Sequence, residues 1–135
     1  MNETASLLFA NEAFYLAFNN RDLAAMDAVW AERRDVTCIP PGWDVLSGRE
    51  EVMESWRGIL GGANSPAITC RKARGAVLGG LGMVLCYEQM GQNLLVATNL
   101  FAKEGAAWKM VHHQAGPCHI TPAQLGEEPE APPVQ

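Results

Sequence analysis

Two adjacent histidines, His112 and His113, lie near the end of the last extended segment of this 135-residue chain, residues 107–115. An imidazole can take up or release a proton near neutral pH, and it is also a common metal ligand. Side chains along a strand alternate between its two faces, so these two rings must point in opposite directions. The pair therefore predicts one candidate functional side chain and one structural side chain, and no shared metal site.

The four cysteines, Cys38, Cys70, Cys86 and Cys118, are widely separated and have neither CxxC spacing nor a Cys/His ligand pattern. Three of them fall inside apolar, strand-like segments, where a reduced thiol behaves as a small hydrophobic group. We expect structural thiols rather than catalytic nucleophiles. We expect no metal and no cofactor.

The composition is that of a globular protein, with 48% hydrophobic and 19% charged residues. The net charge of −5 includes three glutamates near the C-terminus, so the remainder is nearly neutral. The only basic cluster is Arg71, Lys72 and Arg74, and alternation would place Lys72 and Arg74 on one solvated strand face. We expect no nucleic-acid partner. Because the apolar runs are short and the first residues do not resemble a secretion signal, we also expect no membrane partner and a cytoplasmic location.

The elements that must position the candidate residues begin with helices. Apolar residues at steps of three and four predict a helix over 4–19, and Asp22 suits the first turn of a second helix reaching Trp30. A short strand over 36–39 ends at two prolines and is followed by another over 43–46. The Ser47-Gly48-Arg49-Glu50 spacing predicts a capping box that opens a third helix, ending at Gly61-Gly62.

The second half of the chain is extended. Residues 67–78, 83–90, 94–103 and 107–115 predict four strands, and the short turns between them imply antiparallel neighbours. The prediction is an α+β domain over residues 1–120, in which three N-terminal helices pack on a strongly curved, mostly antiparallel mixed sheet that forms a cone with an internal pocket. Residues 121–135 are expected to be a flexible, acidic, proline-rich tail.

Four motifs in this order resemble a known family. They are Arg21-Asp22-Leu23, Pro41-Gly42-Trp43 followed by Ser47-Gly48-Arg49-Glu50, Ala97-Thr98-Asn99-Leu100-Phe101, and Trp108-Lys109-Met110-Val111-His112-His113. Together they are similar to the SnoaL-like branch of the nuclear-transport-factor-2-like superfamily, whose cone is also called cystatin-like. The resemblance spans about Thr4 to Pro117. It implies a homodimer formed through the outer face of the sheet.

The strand order of that family implies that Glu88, Asn99 and His113 face the cavity from three neighbouring strands. A carboxylate, an amide and an imidazole could act as base, orienting group and proton shuttle, and these are the candidate catalytic residues. The same three groups could equally hold a ligand or ordered water in a non-catalytic pocket. His112 is expected at an interface or on the surface.

Aromatic and apolar side chains are the candidates for contacts with a ligand. Those expected to line the pocket are Tyr15, Trp30, Ile39, Trp43, Trp56, Ala97 and Phe101. Each of the aromatic residues could instead belong to the core. The ketosteroid isomerases of the superfamily carry an acidic base on the short strand before the Pro-Gly turn, whereas this chain has Cys38-Ile39-Pro40 there.

Three functions remain open from the sequence. The first is a homodimeric domain that binds a small apolar or aromatic molecule, which the missing acidic base favours. The second is an enzyme of the polyketide cyclase, isomerase or dehydratase type that transfers a proton through His113 with Glu88 or Asn99. The third is an assembly module that uses the outer face of its sheet.

Overall fold

The computed structural model describes residues 2–33 and 35–127. The helices are α1 (Glu3–Asn19), α2 (Leu23–Val29), α3 (Arg49–Gly61) and the short α4 (Pro122–Leu125). The strands are β1 (Thr37–Ile39), β2 (Leu46–Ser47), β3 (Thr69–Leu78), β4 (Leu81–Met90), β5 (Asn93–Glu104) and β6 (Ala107–Pro117). No helix within the described ranges is both long and apolar enough to span a bilayer.

The six strands form one curled sheet in the order β2-β1-β6-β5-β4-β3. β1 pairs with β6 in parallel and every other pair is antiparallel, so the sheet is mixed, as predicted. α1 packs across β3, β4 and β6, and its neighbours α2 and α3 complete the layer on the same inner face. The predicted α+β cone is confirmed.

The helix α1 is fixed at its start by Asn2, whose Oδ1 accepts a hydrogen bond from the backbone N–H of Ala5 at 2.7 Å. Its buried stripe carries Leu7, Phe14 and Phe18 at helical spacing. Asn11 lies on the same buried stripe and is only 1% exposed. The otherwise apolar face of α1 therefore places one polar side chain, that of Asn11, in the interior.

The predicted capping box at the start of α3 is wrong. Gly48 is the N-cap residue with φ of +93°, and no side chain caps the helix. Ser47 instead belongs to β2, where it pairs with Thr37 of β1. Its backbone N–H donates to Glu51 Oε2 at 3.3 Å. The left-handed backbone of Gly48 is what separates the end of the strand from the start of the helix.

The expected shared face of Lys72 and Arg74 is also wrong. The pairing of β3 with β4 shifts between Arg71 and Arg74, and Lys72 has a left-handed φ of +55°. An extra residue in one strand interrupts the alternation of side chains, so positions two apart no longer share a face.

A second bulge decides which histidine faces inward. Leu100 pairs with His112 and the next residue, Phe101, pairs with Met110, so Val111 is the extra residue in β6. Met110 is buried before the bulge and His113 is buried after it, at 4% exposure. His112 faces the other way and its Nδ1 lies 2.6 Å from Thr37 Oγ1. The predicted division of the pair into one inner and one outer ring is confirmed.

The first part of the expected tail has local structure. Thr121 and Gln124 form a capping box at α4. The guanidinium of Arg71 donates to the carbonyl oxygen of Gly126, and Lys72 Nζ donates to the carbonyl oxygen of Glu127 at 2.7 Å. The remainder of that predicted tail, residues 128–135, lies outside the described residues.

Candidate functional site

A cavity of about 280 Å³ opens at one end of the cone, between α1, α3 and the inner face of the sheet. Most of its lining is aromatic or aliphatic. The lining residues are Phe14, Phe18, Pro40, Pro41, Trp43, Trp56, Ile59, Ser65, Pro66, Ile68, Glu88, Met90, Leu95 and His113. The walls therefore suit an apolar molecule, and the polar groups are confined to a few positions.

The mouth of the cavity is shaped by the turn after β1. The backbone N–H of Trp43 donates to the carbonyl oxygen of Pro40 at 2.9 Å, and Gly42 has φ of +81°. Proline at the second position and glycine at the third define a type II turn, which only glycine adopts there without strain. The turn presents Trp43 at the rim with 51% of its surface exposed.

His113 is held in one orientation by Asn99. Its Nδ1 lies 2.6 Å from Asn99 Oδ1, and Asn99 Nδ2 donates to Asn11 Oδ1 at 2.8 Å. Because the amide oxygen of Asn99 can only accept, His113 Nδ1 must carry the proton and donate it. The other ring nitrogen, Nε2, is left with a free lone pair.

Glu88 is held by Tyr15. The phenol hydroxyl of Tyr15 donates to Glu88 Oε2 at 2.6 Å and accepts from Asn99 Nδ2 at 3.1 Å. His113 Nε2 lies 3.9 Å from the same carboxylate oxygen. That distance is too long for a direct hydrogen bond, and it leaves room for one polar atom in contact with both groups.

Burial sets the charge of the two titratable lining groups. The removal of water raises the pKa of Glu88, which is 2% exposed, and the hydrogen bond from Tyr15 opposes that shift. Burial, aided by the charge of His112, lowers the pKa of His113 to about 3. At neutral pH the imidazole is therefore uncharged and can only accept a proton at Nε2.

Two thiols border this hydrogen-bonded network. Cys86 Sγ lies 3.2 Å from the hydroxyl of Tyr15, and Asn11 Nδ2 donates to Cys70 Sγ at 3.7 Å. Burial, with a smaller contribution from the charge of Glu88, raises the pKa of the Cys38 thiol to about 12. Within residues 2–33 and 35–127, no group of three or more His, Cys, Asp and Glu side chains could hold a metal ion.

The three candidate catalytic residues come together, since Asn99 bonds to His113 and His113 lies beside Glu88. Glu88 and His113 line the cavity, whereas Asn99 is fully buried and is not a lining residue. Of the candidate ligand contacts, Trp43 and Trp56 line the cavity. Tyr15 lies beneath the cavity floor as a partner of Glu88. The structure does not bring the others to this cavity: Trp30, Ala97 and Phe101 are buried in the core, and Ile39 is half-buried on β1.

Several contributing residues were not predicted from the sequence. Phe14 and Phe18 line the cavity from α1, and Asn11 completes the hydrogen bonds that orient Asn99. A signal for Asn11 existed, because a polar residue on the buried stripe of an amphipathic helix requires an internal partner. No comparable signal separates an aromatic ring that lines a cavity from one that fills the core.

Two solved structures are similar to this chain over most of its length. One is a proposed dehydratase of the NTF2-like family from Streptomyces avermitilis, 29% identical, with a TM-score of 0.79 and coverage of 87% of this chain and 97% of that chain. The other is a proposed calcium/calmodulin-dependent protein kinase type II association domain from Thiobacillus denitrificans, 32% identical, with a TM-score of 0.74 and coverage of 82% and 93%.

One curated relative is an F-box protein, SKIP8, from Arabidopsis thaliana, 25% identical over 124 residues that make up 90% of this chain and 54% of that protein. The chain thus spans about half the length of this relative. Residues 8–118 match the SnoaL-like domain family. This range includes every residue that lines the cavity. The chain belongs to the SnoaL-like family of the NTF2-like superfamily.

Proposed function

We propose that this domain binds a small, largely apolar molecule in the cavity and holds one polar group of that molecule at Glu88 and His113. The observation that carries the proposal is the distribution of polarity in the lining. Aromatic and aliphatic side chains form the walls, while the two titratable groups meet at one point, 3.9 Å apart. Such a site favours apolar contact everywhere except at one anchoring position.

A substitution that fills the cavity tests this proposal. Ser65 lies in a loop that lines the cavity, and Ser65→Trp should occupy the space without removing a core side chain. Ala63, in the same loop, is exposed and is not a lining residue, so Ala63→Trp is the matched control. Native mass spectrometry of the protein purified from cells should find a co-purifying small molecule in the control and lose it in Ser65→Trp. Equal retention in both variants would contradict binding in this cavity.

Proton transfer is the second candidate, and a specific observation favours it. His113 Nε2 is a neutral acceptor beside Glu88, whose carboxyl group holds a proton more readily than an exposed glutamate because burial raises its pKa. With a β-hydroxy carbonyl compound, Nε2 could take the proton next to the carbonyl, while Glu88 gives a proton to the leaving hydroxyl, releasing water. The similar Streptomyces protein, named as a proposed dehydratase, supports this class of reaction.

Separate measurements of turnover and binding distinguish the two functions. In an enzyme, His113→Gln should lower the rate of enone formation from β-hydroxy carbonyl compounds by about a hundredfold or more. The affinity for the same compounds should change much less. His119, which is exposed, provides the matched control variant His119→Gln. If the wild-type protein binds such compounds without converting them, the domain is a binding protein.

We also propose that the domain forms a homodimer through the outer face of the sheet. Outward-facing positions on β4 and β5 include Leu85, Tyr87 and Leu100, and Val96 on β5 is 44% exposed on the same face. The related protein from Thiobacillus denitrificans, named as an association domain, supports assembly through this fold. An exposed apolar sheet face gains most by burial against a second apolar surface.

Light scattering coupled to size-exclusion chromatography tests the dimer. Val96→Glu should shift the measured mass from two chains to one, because it buries a charge in the proposed interface. Val45→Glu is the matched control, since Val45 is 46% exposed and belongs to no strand of the sheet. A wild-type protein that is monomeric at micromolar concentrations would contradict the proposal.

A further inference from the structure

The charges and hydrogen-bonding groups of the cavity restrict what its ligand can be. Among the described residues that line it, Glu88 is the one carboxylate, and no Lys or Arg is present. His113 is held neutral, the hydroxyl of Ser65 is uncharged, and the indole N–H of Trp56 is buried. An anionic ligand would therefore meet a like charge and no cation, which is unfavourable in a water-poor cavity.

The floor of the cavity offers two hydrogen-bond acceptors at the anchoring point. Glu88 accepts from Tyr15 and has further lone pairs, and His113 Nε2 is an acceptor because Nδ1 donates to Asn99. The two acceptor atoms are 3.9 Å apart. A ligand atom that carries at least two N–H donors can satisfy both at once, whereas a hydroxyl has only one donor.

Two aromatic rings pack against His113. The ring of Phe14 lies 4.8 Å from that of His113, and the ring of Trp56 lies 6.2 Å from it, measured between centroids. Phe18 and Trp43 add two further rings to the lining. Faces of Trp and Phe rings attract a cation, and the attraction is stronger when the cation is desolvated.

The size of the cavity suits a small ring system. Its volume of about 280 Å³ corresponds to roughly nine water molecules at about 30 Å³ each. That is room for one or two rings with a short side chain.

We propose that the cavity is selective for a small aromatic or alicyclic amine, bound as its ammonium form with the nitrogen on Glu88 and His113 Nε2 and the ring among Phe14, Phe18 and Trp56. This rests on the proposed binding function and names the chemical class of its ligand. Glu88, a buried carboxylate without a Lys or Arg among the described lining residues, receives its counter-charge from the ligand.

Three probes that share a ring and differ in charge test the proposal: 2-phenylethylamine, 2-phenylethanol and phenylacetate. Isothermal titration calorimetry should show that the wild-type protein binds the amine at least tenfold more tightly than the alcohol, with phenylacetate weakest. Glu88→Gln keeps the shape and the acceptor for Tyr15 but removes the charge. It should abolish the preference for the amine while retaining the affinity for the alcohol. Glu12→Gln, at an exposed position on α1, removes the same charge elsewhere and should leave the order unchanged.

The outcomes separate this inference from the function on which it rests. Equal or tighter binding of the alcohol or of phenylacetate would overturn the amine assignment and leave small-molecule binding intact. An amine preference that persists in Glu88→Gln would overturn the assignment of the anchoring group. Failure of all three probes to bind the folded wild-type protein would also overturn the assignment. Native mass spectrometry of Ser65→Trp and its control tests separately whether the cavity binds a small molecule at all.

Discussion

The inner face of the sheet has two ends that are made by the same strands and differ in how completely they are filled. At the closed end, Val84, Phe101 and Met110 are fully buried. A Cβ at Gly82 would lie 2.5 Å from Leu7 Cδ1, so a methyl group there would force the buried side chain of Leu7 to move. At the open end, the same strands carry Glu88 and His113 beside an unfilled cavity.

The difference shows that position along a strand, rather than the strand itself, decides whether an inward residue supports stability or chemistry. A close-packed region tolerates neither added nor removed volume. The polar groups at the open end have few other hydrogen-bonding partners within reach, because most of the side chains around them are apolar. Four substitutions or conditions test this division, from the largest expected effect to the smallest.

Phe101→Ala should lower the free energy of unfolding by about 3–5 kcal/mol, because it leaves a cavity at the closed end. Urea denaturation followed by circular dichroism measures the loss. Below the unfolding transition, affinity for 2-phenylethylamine should stay within about twofold of the wild-type value. A large loss of affinity in the folded variant would show that the two ends are not separable.

Acidification should destabilise the protein through His113. The folded state holds its pKa at about 3, whereas the unfolded chain binds a proton below its ordinary value of 6.5. Protons therefore favour the unfolded state, and stability should fall by about 1.4 kcal/mol per pH unit below 6.5, or about 2 kcal/mol by pH 5. Glu88 opposes this trend: its folded pKa is raised, so it adds stability below its unfolded value of 4.5 that is lost as the pH rises.

Denaturation of His113→Gln at a series of pH values isolates this contribution. The variant should lose most of the acid-dependent slope between pH 6.5 and 5, while His119→Gln should retain it, since His119 is exposed. A slope that is identical in the wild-type protein and His113→Gln would contradict the assignment to His113.

Asn11→Ala should cost about 1–2 kcal/mol, because it removes the acceptor for Asn99 and leaves a buried amide without that partner. The variant should also loosen the orientation of Asn99 and hence the tautomer of His113. Nitrogen-15 chemical shifts of the imidazole distinguish the two tautomers. A wild-type tautomer ratio in Asn11→Ala would show that Asn11 contributes to stability alone.

Trp43→Ala should have the smallest effect on stability, within about 0.5 kcal/mol, because half of the side chain is exposed. Its effect should appear in binding, since the indole forms part of the cavity rim. A several-fold loss of affinity for 2-phenylethylamine, measured by calorimetry, would agree with that position. A loss of stability comparable to that of Phe101→Ala would erase the contrast between the two ends.

Much of this architecture could be predicted from the sequence, for reasons that particular segments make clear. Helical spacing in α1 and the long strands β3 to β6 are strong local signals, and their order matches the family. Glu88, Asn99 and His113 followed from that resemblance. The predicted capping box at Ser47 is wrong because local spacing does not reveal that Ser47 belongs to a strand and that Gly48 adopts a left-handed backbone.

The lining of the cavity was harder to predict because burial and proximity to a cavity produce the same sequence pattern. Trp30 and Trp56 both fall at helical spacing in the sequence, yet Trp30 adopts an extended backbone after α2 and only Trp56 of the two lines the cavity. Which of two buried aromatic side chains borders an empty space depends on how far the sheet curves away from the helices. That distance is set by the whole fold rather than by neighbours in the sequence.

The extra residue Val111 has a consequence for the shape of the sheet. Over their paired region, β6 uses one residue more than β5 to cover the same length. A flat pair of strands cannot accommodate this extra residue, so the strand bends and its twist increases. A similar surplus occurs at Lys72 on the far edge of the sheet. The two bulges therefore contribute to the curvature of the sheet, which holds its open end away from the helices.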